Sequence, residues 1–242
     1  MKVIQQLKAA GLNQAALKYS ELLKVATLKK HSYGEFVSAL AEEEIEYRRL
    51  KKETIFLQLA KFPVIKTFEG LDFSFNLTLE KKAVEELKKL RFIKQAENVI
   101  LLGPPGVGKT HIAIALGVEA VKNGCQAYFT TVDEIVARVI TTKDENFLKR
   151  LHRYIQPHLL IIDEMGYTPL EKEQANILFK LVTKRYERGS IIITSNKSIT
   201  QWGEYLGDEV LASAMLDRLL HHSYVINIKG KSYRLKGRLK AR

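Results

Sequence analysis

A three-layer α/β domain, built on a five-stranded parallel sheet and preceded by a small all-helical domain, is the fold that the amino-acid sequence predicts. Three observations carry this expectation. From residue 98 onward, five short apolar runs alternate with segments of helical spacing. The first of these runs enters a glycine-rich loop and then a helical stretch, the order of a strand–loop–helix unit. Residues 1–62 hold no such run, and their apolar residues recur near the helical period.

In chain order, Leu12, Ala16, Tyr19, Leu22, Leu23 and Ala26 give a first amphipathic helix. Ser32 and Glu35 have the spacing of a capping box, which starts a second helix through Phe36, Leu40, Ile45 and Leu50. The stretch 61–76, interrupted by Pro63 and Gly70, reads as the link into the larger domain, and a helix over Leu79 to Phe92 follows. The strands are expected at Val99–Leu102, Ala127–Thr130, Leu159–Ile162, Ser190–Thr194 and Tyr224–Ile228. Their continuous Val/Ile/Leu character suits strands covered on both faces, as in a parallel sheet with crossover helices. The expected organisation is a helical domain over 1–62, an α/β core over 63–228 and a basic tail over 229–242.

Composition narrows the function classes. Of 242 residues, 46% are apolar and 27% charged, a globular balance that excludes disordered and fibrous chains. No apolar run approaches the roughly 20 residues of a membrane helix, so no membrane partner and a cytoplasmic location are expected. A lone cysteine, Cys125, excludes an internal disulfide and a Cys-rich zinc site. The net charge of +12 is unevenly placed. Residues 1–62 hold 11 basic and 7 acidic side chains, residues 63–228 hold 21 and 20, and residues 229–242 hold 7 and none. The surplus at the two ends points to a polyanionic partner, nucleic acid first.

Gly103-Pro104-Pro105-Gly106-Val107-Gly108-Lys109-Thr110 fits G-x-x-x-x-G-K-[ST] in the context that pattern requires, and His111 follows in the first helical turn. Glycines let the backbone wrap so that amides face phosphate oxygens, and the helix N-terminus adds its dipole. Lys109 is expected to neutralise the β and γ phosphates of ATP, with Thr110 on Mg²⁺. Asp163 and Glu164 end a buried strand: Asp163 is placed to reach the metal through water, and Glu164 to polarise an attacking water. Asn196 follows the next strand and is a candidate to orient that water. Arg218 lies on a helix before the last strand, where it can serve a neighbouring subunit's nucleotide. Arg234, after that strand, is a second candidate for a phosphate contact.

The residues resemble the AAA+ ATPases, and within them the clade of DnaC-type helicase loaders and IstB-type transposition helpers. The resemblance rests on FPVIKTFEGLDF, AENVILLGPPGVGKTHIAIALGVEA, LLIIDEMGYTPL, RYERGSIIITSN, QWGEYLGDE and AMLDRLLHHSYVINIKGKSYRLK, nearly the whole chain, and is close to the IstB type. It implies ATP at Gly103 to Thr110, Walker B residues Asp163 and Glu164, a sensor at Asn196 and a trans-acting arginine finger at Arg218. It further implies a homo-oligomer with ATP sites between subunits, assembly on duplex DNA, and delivery of that DNA to a transposase of the same mobile element. The linker near Phe68 is implied in the adenine pocket. Only 14 residues follow the last strand, too few for the helical lid of most AAA+ proteins, and the DnaC-like clade is similar in lacking it. A helicase loader is the rival expectation. An architectural DNA-binding protein holding ATP without hydrolysis is a third, against which Glu164 argues.

Overall fold

The computed structural model describes residues 2–73, 80–140 and 147–235. The chain divides into two compact units, Met1–Ile55 and Phe56–Arg242.

In the first unit, α1 spans Lys2–Ala9, α2 spans Asn13–Lys29 and α3 begins at Tyr33 and runs to Leu59. The capping box forms as expected: Ser32 N–H donates to Glu35 Oε2 (2.6 Å) and Glu35 N–H to Ser32 Oγ (3.3 Å). Glu44 is a buried carboxylate of α3 that accepts from the amides of Gln14 (2.8 Å) and Ala15 (3.1 Å) at the start of α2, and from Arg48 Nε (2.8 Å). Those donors, Arg48 foremost, hold its pKa below the ordinary carboxylate value. An open apolar groove of about 490 Å³, lined by Leu7, Leu12, Tyr19, Phe36, Leu40 and Ile45, runs along the same helices.

The second unit carries the sheet. Its strands are β1 (Asn98–Leu102), β2 (Ala127–Thr131), β3 (Leu159–Met165), β4 (Ser190–Ser195) and β5 (Ser223–Asn227), each close to its expected run. Their order is β2-β3-β4-β1-β5 and every pairing is parallel. Alternate residues feed two cores, because successive side chains in a strand point to opposite faces. Ile100, Leu102, Leu160, Ile162, Ile191 and Ile193 join one buried cluster, whereas Val99, Leu101, Leu159, Ile161 and Ile192 join the other. Against the first pack α7 (Val132–Ile140), α8 (Phe147–Ile155), α9 (Lys172–Arg185), α10 (Trp202–Leu206) and α11 (Glu209–Leu220); against the second packs α6 (Lys109–Lys122). This is the three-layer arrangement expected. β5 departs from the expectation of strands covered on both faces: it is an edge strand, and Tyr224 and Val225 stay exposed.

Two expectations meet differences. The structural division lies at 55/56 rather than 62/63, because the end of α3 and the turn after it belong with the sheet. The Ala60 carbonyl accepts from the Phe129 amide (2.8 Å), and the Phe62 ring lies where a side chain on Gly117 of α6 would stand. In place of one helix to Phe92 there are two, α4 (Lys81–Lys88) and α5 (Arg91–Lys94), while Leu79 lies outside the described residues. Leu90, at φ 57°, separates them. Residues two apart on a helix point to nearly opposite sides. The left-handed residue turns the chain so that Leu90 and Phe92 are both buried.

Arg185, at the end of α9, ties the frame together. Its guanidinium is buried and donates to the carbonyls of Tyr154, Ile155, Pro157, His158 and Ser190, joining the end of α8 to the start of β4. Burial pushes its pKa down to about 10, which leaves it charged at neutral pH.

Candidate functional site

Parallel α/β sheets place ligands at the carboxyl ends of their strands, where strand order reverses. Here β1, β3 and β4 are neighbours, and their carboxyl ends carry the glycine-rich loop, Asp163-Glu164 and Ser195-Asn196 together. The loop leaves β1 with Gly103 at φ 145°, Gly106 at 82° and Gly108 at 103°, backbone angles in the region that only glycine enters cheaply. Pro104 and Pro105 are exposed at its crest, Val107 is buried beneath it, and α6 begins at Lys109.

Lys109 is 7% exposed, and its ammonium donates to the carbonyls of Gly103 (2.7 Å) and Pro104 (2.9 Å). Burial lowers its pKa, the Asp163 carboxylate opposes that shift, and the positive charge of Arg234 adds to it. Arg234 therefore lies close enough to the loop for its charge to be felt there.

Asp163 is 5% exposed at the tip of β3. Its carboxylate accepts from Thr110 Oγ1 (2.9 Å to Oδ1, 3.1 Å to Oδ2) and from the hydroxyl of Thr194 on β4. A carboxylate and a hydroxyl held together at the end of a phosphate-type loop are the hard oxygen donors that Mg²⁺ selects, so the residues fit that ion.

Glu164 owes its placement to an irregularity. The register between β3 and β4 shifts between Ile162 and Met165, and Glu164 takes φ 64°. A bulge re-aims a side chain: Asp163 and Met165 stay buried while Glu164 is exposed. The Glu164 amide is held by Thr194 Oγ1 (3.2 Å). Asn196 stands next to this bend. A Cβ on Gly166 would lie 2.7 Å from Asn196 Oδ1, so the glycine makes room for the amide. Asn196 Oδ1 is buried and accepts no hydrogen bond among the described residues.

His111 Nε2 is 2.8 Å from the Thr67 carbonyl, and a Cβ on Gly108 would lie 3.9 Å from Leu71 Cδ1. The linker thus reaches the start of α6 through Thr67 and Leu71. Phe68 itself is buried among Val84, Leu87 and Ile112, with Lys88 Nζ 5.3 Å from its ring centre. Of the linker side chains, Leu71 is the one these distances place beside the loop.

Arg218 stands apart from this constellation. Its guanidinium donates to the Ala214 carbonyl (2.7 Å) and sits 5.0 Å from the Phe179 ring centre, contacts on α11 and α9, and it forms no ion pair with Asp217 among the described residues. It borders a small surface pocket with Tyr186, Glu187 and His222. Thr194, Gly166 and Leu71 join the site without a motif that marks them in the sequence. Only the strand-end position of Thr194 carried any signal.

The family described as IstB-like ATP binding protein matches residues 3–241. An insertion sequence IS21 putative ATP-binding protein of Pseudomonas aeruginosa is 48% identical over 221 residues, covering 91% of this chain and 83% of that protein. Among solved structures, the crystal structure of DnaI matches with a TM-score of 0.58 at 19% identity, over 71% of this chain and 93% of DnaI. The DnaC helicase loader matches with a TM-score of 0.50 at 25% identity, over 61% and 87%. The fold is that of an AAA+ ATPase. Among the described residues no helix is long and apolar enough to cross a membrane.

Proposed function

The chain belongs to the IstB-like ATP binding protein family and is an ATPase, and from that premise we propose that it assembles with further copies of itself on duplex DNA and, in its ATP state, presents that DNA to the transposase of the same mobile element. The observation that carries the proposal is the convergence of Lys109, Thr110, Asp163, Glu164 and Asn196 at the carboxyl ends of β1, β3 and β4 while Arg218 is held on another surface. A site complete in its Walker groups but with its candidate arginine turned elsewhere suits an arginine supplied by the next subunit.

In this reading the amides of Gly106 to Thr110, with Pro104 and Pro105 at the crest and His111 in the first helical turn, cradle the phosphates, and Lys109 neutralises the β–γ region. Arg234 adds a second positive charge near the phosphates. Thr110 and Asp163 would hold Mg²⁺, Asp163 through water, and the ion would supply positive charge to the γ-phosphate. Glu164 takes the proton of the attacking water and Asn196 Oδ1 accepts its second hydrogen, which fixes its direction of attack. Leu71 and Thr67 border the base. The Lys and Arg excess of the two ends supports sequence-independent contacts to DNA phosphates, since no base-reading motif accompanies it.

The helicase-loader reading shares every one of these residues and draws on the likeness to the DnaC structure. The 48% identity to the insertion-sequence protein, across 91% of the chain, favours the transposition reading.

Two measurements test the proposal. ATP turnover by the full chain should rise when duplex DNA is added, and the rise should fade with salt as counterion release requires. Ending the chain at Ile228 removes seven basic residues, four of which, Lys236, Arg238, Lys240 and Arg242, lie outside the described residues. The shortened chain should bind duplex DNA more weakly and with a shallower salt dependence. Unchanged turnover with DNA would contradict the DNA-coupled reading. Unchanged affinity of the shortened chain would move the DNA contacts to the N-terminal helices or the core.

A further inference from the structure

The segment that follows β5 does not leave the nucleotide site; it crosses it. The Ile228 amide donates to the Leu102 carbonyl at the mouth of the loop (2.8 Å), and a Cβ on Gly103 would fall 2.1 Å from the Ile228 carbonyl oxygen. Five residues later the Tyr233 amide donates to the Gly106 carbonyl (2.9 Å). A Cβ on Gly106 would fall 2.1 Å from Ser232 Oγ and 3.2 Å from Ser232 Cα, so a side chain there would displace backbone as well as the hydroxyl. Gly106 is glycine for two reasons at once: its φ of 82° and the serine lying against it.

The hydrogen bond to Gly106 has a consequence for the phosphates. In a planar trans peptide the C=O and the following N–H point in opposite directions. Holding the Gly106 carbonyl toward Tyr233 therefore sets the direction of the Val107 amide, one of the amides that a loop of this pattern turns toward phosphate. The same segment carries Arg234, whose charge is felt at Lys109, and passes directly into Lys236, Arg238, Lys240 and Arg242.

We propose that Ser232 and the Tyr233 amide form a latch on Gly106 that positions the phosphate loop and makes the stability of the C-terminal segment depend on phosphate occupancy. Ser232 and Tyr233 are positioning residues in this account, acting through the loop peptide. Because linkage is reciprocal, whatever holds the tail alters ATP affinity by the factor by which ATP alters tail binding. The inference rests on the reading that the loop binds ATP and the basic tail binds DNA.

Tyr233 opens a short 3₁₀ turn, a position whose backbone suits proline. Tyr233→Pro removes the amide donor, and Tyr233→Ala removes the side chain while keeping the amide. In the full wild-type chain, the non-hydrolysable analogue AMPPNP with Mg²⁺ should slow hydrogen exchange both in a peptide covering 103–110 and in one covering 229–235. In Tyr233→Pro the second protection should vanish while the first persists, and Tyr233→Ala should behave as wild type. Adding a duplex oligonucleotide should change AMPPNP affinity of wild type and Tyr233→Ala by a factor of about 5 or more, and of Tyr233→Pro by a factor near one.

A wild-type chain whose 103–110 peptide is protected by AMPPNP while 229–235 exchanges unchanged overturns the latch, as does a Tyr233→Pro variant that keeps the wild-type DNA factor. Absence of protection at 103–110 would instead remove the nucleotide site, and the latch with it. Nucleotide-dependent protection of 229–235 without any effect of DNA in wild type supports the latch and removes the DNA role of the tail.

Discussion

Glu164→Gln is expected to lower ATP turnover about 10²- to 10⁴-fold, the range over which a positioned general base contributes, while ATP affinity stays within about threefold. The amide has the shape of the carboxylate and cannot take a proton. The backbone that aims the side chain is set by features the substitution leaves alone: the register shift between β3 and β4, the left-handed φ of 64°, and the bond from the Glu164 amide to Thr194 Oγ1. A fall in turnover without a fall in affinity is therefore a chemical effect rather than a misplaced strand end. Turnover measured by phosphate release, beside ATP affinity measured at equilibrium, separates the two. Equal rates for wild type and Glu164→Gln would remove the role of Glu164 and revive the reading of a DNA-binding protein that holds ATP without cleaving it.

Arg218→Ala is expected to have the larger effect, about 10³- to 10⁵-fold on turnover, if Arg218 stabilises the transition state of a neighbouring subunit's nucleotide. Within one chain Arg218 is bonded to Ala214 and stacked near Phe179, away from the loop that carries Lys109. A loss on this scale would follow from an arginine acting in trans, and mixing tests that directly. Arg218→Ala subunits keep an intact loop, and Lys109→Ala subunits keep an intact arginine. In a randomly mixed head-to-tail assembly, about a quarter of the sites pair an intact Lys109 with an intact Arg218. Activity should reappear on mixing two nearly inactive variants. No recovery, with each variant shown to assemble, would mean that Arg218 acts on its own chain or only braces α11 against α9.

The frame of the molecule was readable before its structure because it depends on local pattern. The apolar runs 99–102, 159–162 and 190–194 are continuous because both faces of those strands are buried, and each falls within the strand observed. The G-x-x-x-x-G-K-T loop and the Ser32–Glu35 box are short-range chemistry whose spacing is their mechanism. What escaped the sequence depends on neighbours distant along the chain. Nothing around Leu90 signals a left-handed turn, since its advantage lies in burying Phe92 at the same time. The exposure of Glu164 beside a buried Asp163 arises from a bulge between two strands, and one strand's residues do not reveal it. Thr194 reads as an ordinary strand residue until it is seen bonding both Asp163 and the Glu164 amide. Leu71 lies beside Gly108 and Phe68 lies in the buried cluster with Val84 and Leu87, a division of the linker that its sequence does not reveal. Ser232 and Tyr233 read as part of a basic tail, and only the fold shows them lying on Gly106.

All of these expectations depend on one claim, that the loop from Gly103 to Thr110 is where ATP binds. Equilibrium binding of ATP to folded Lys109→Ala, compared with wild type at the same Mg²⁺ and salt, tests it most directly. Affinity should fall about 100-fold or more, because the ammonium that faces the loop carbonyls is the side-chain charge set to meet the β and γ phosphates. A Lys109→Ala chain that binds ATP with unchanged affinity would contradict it.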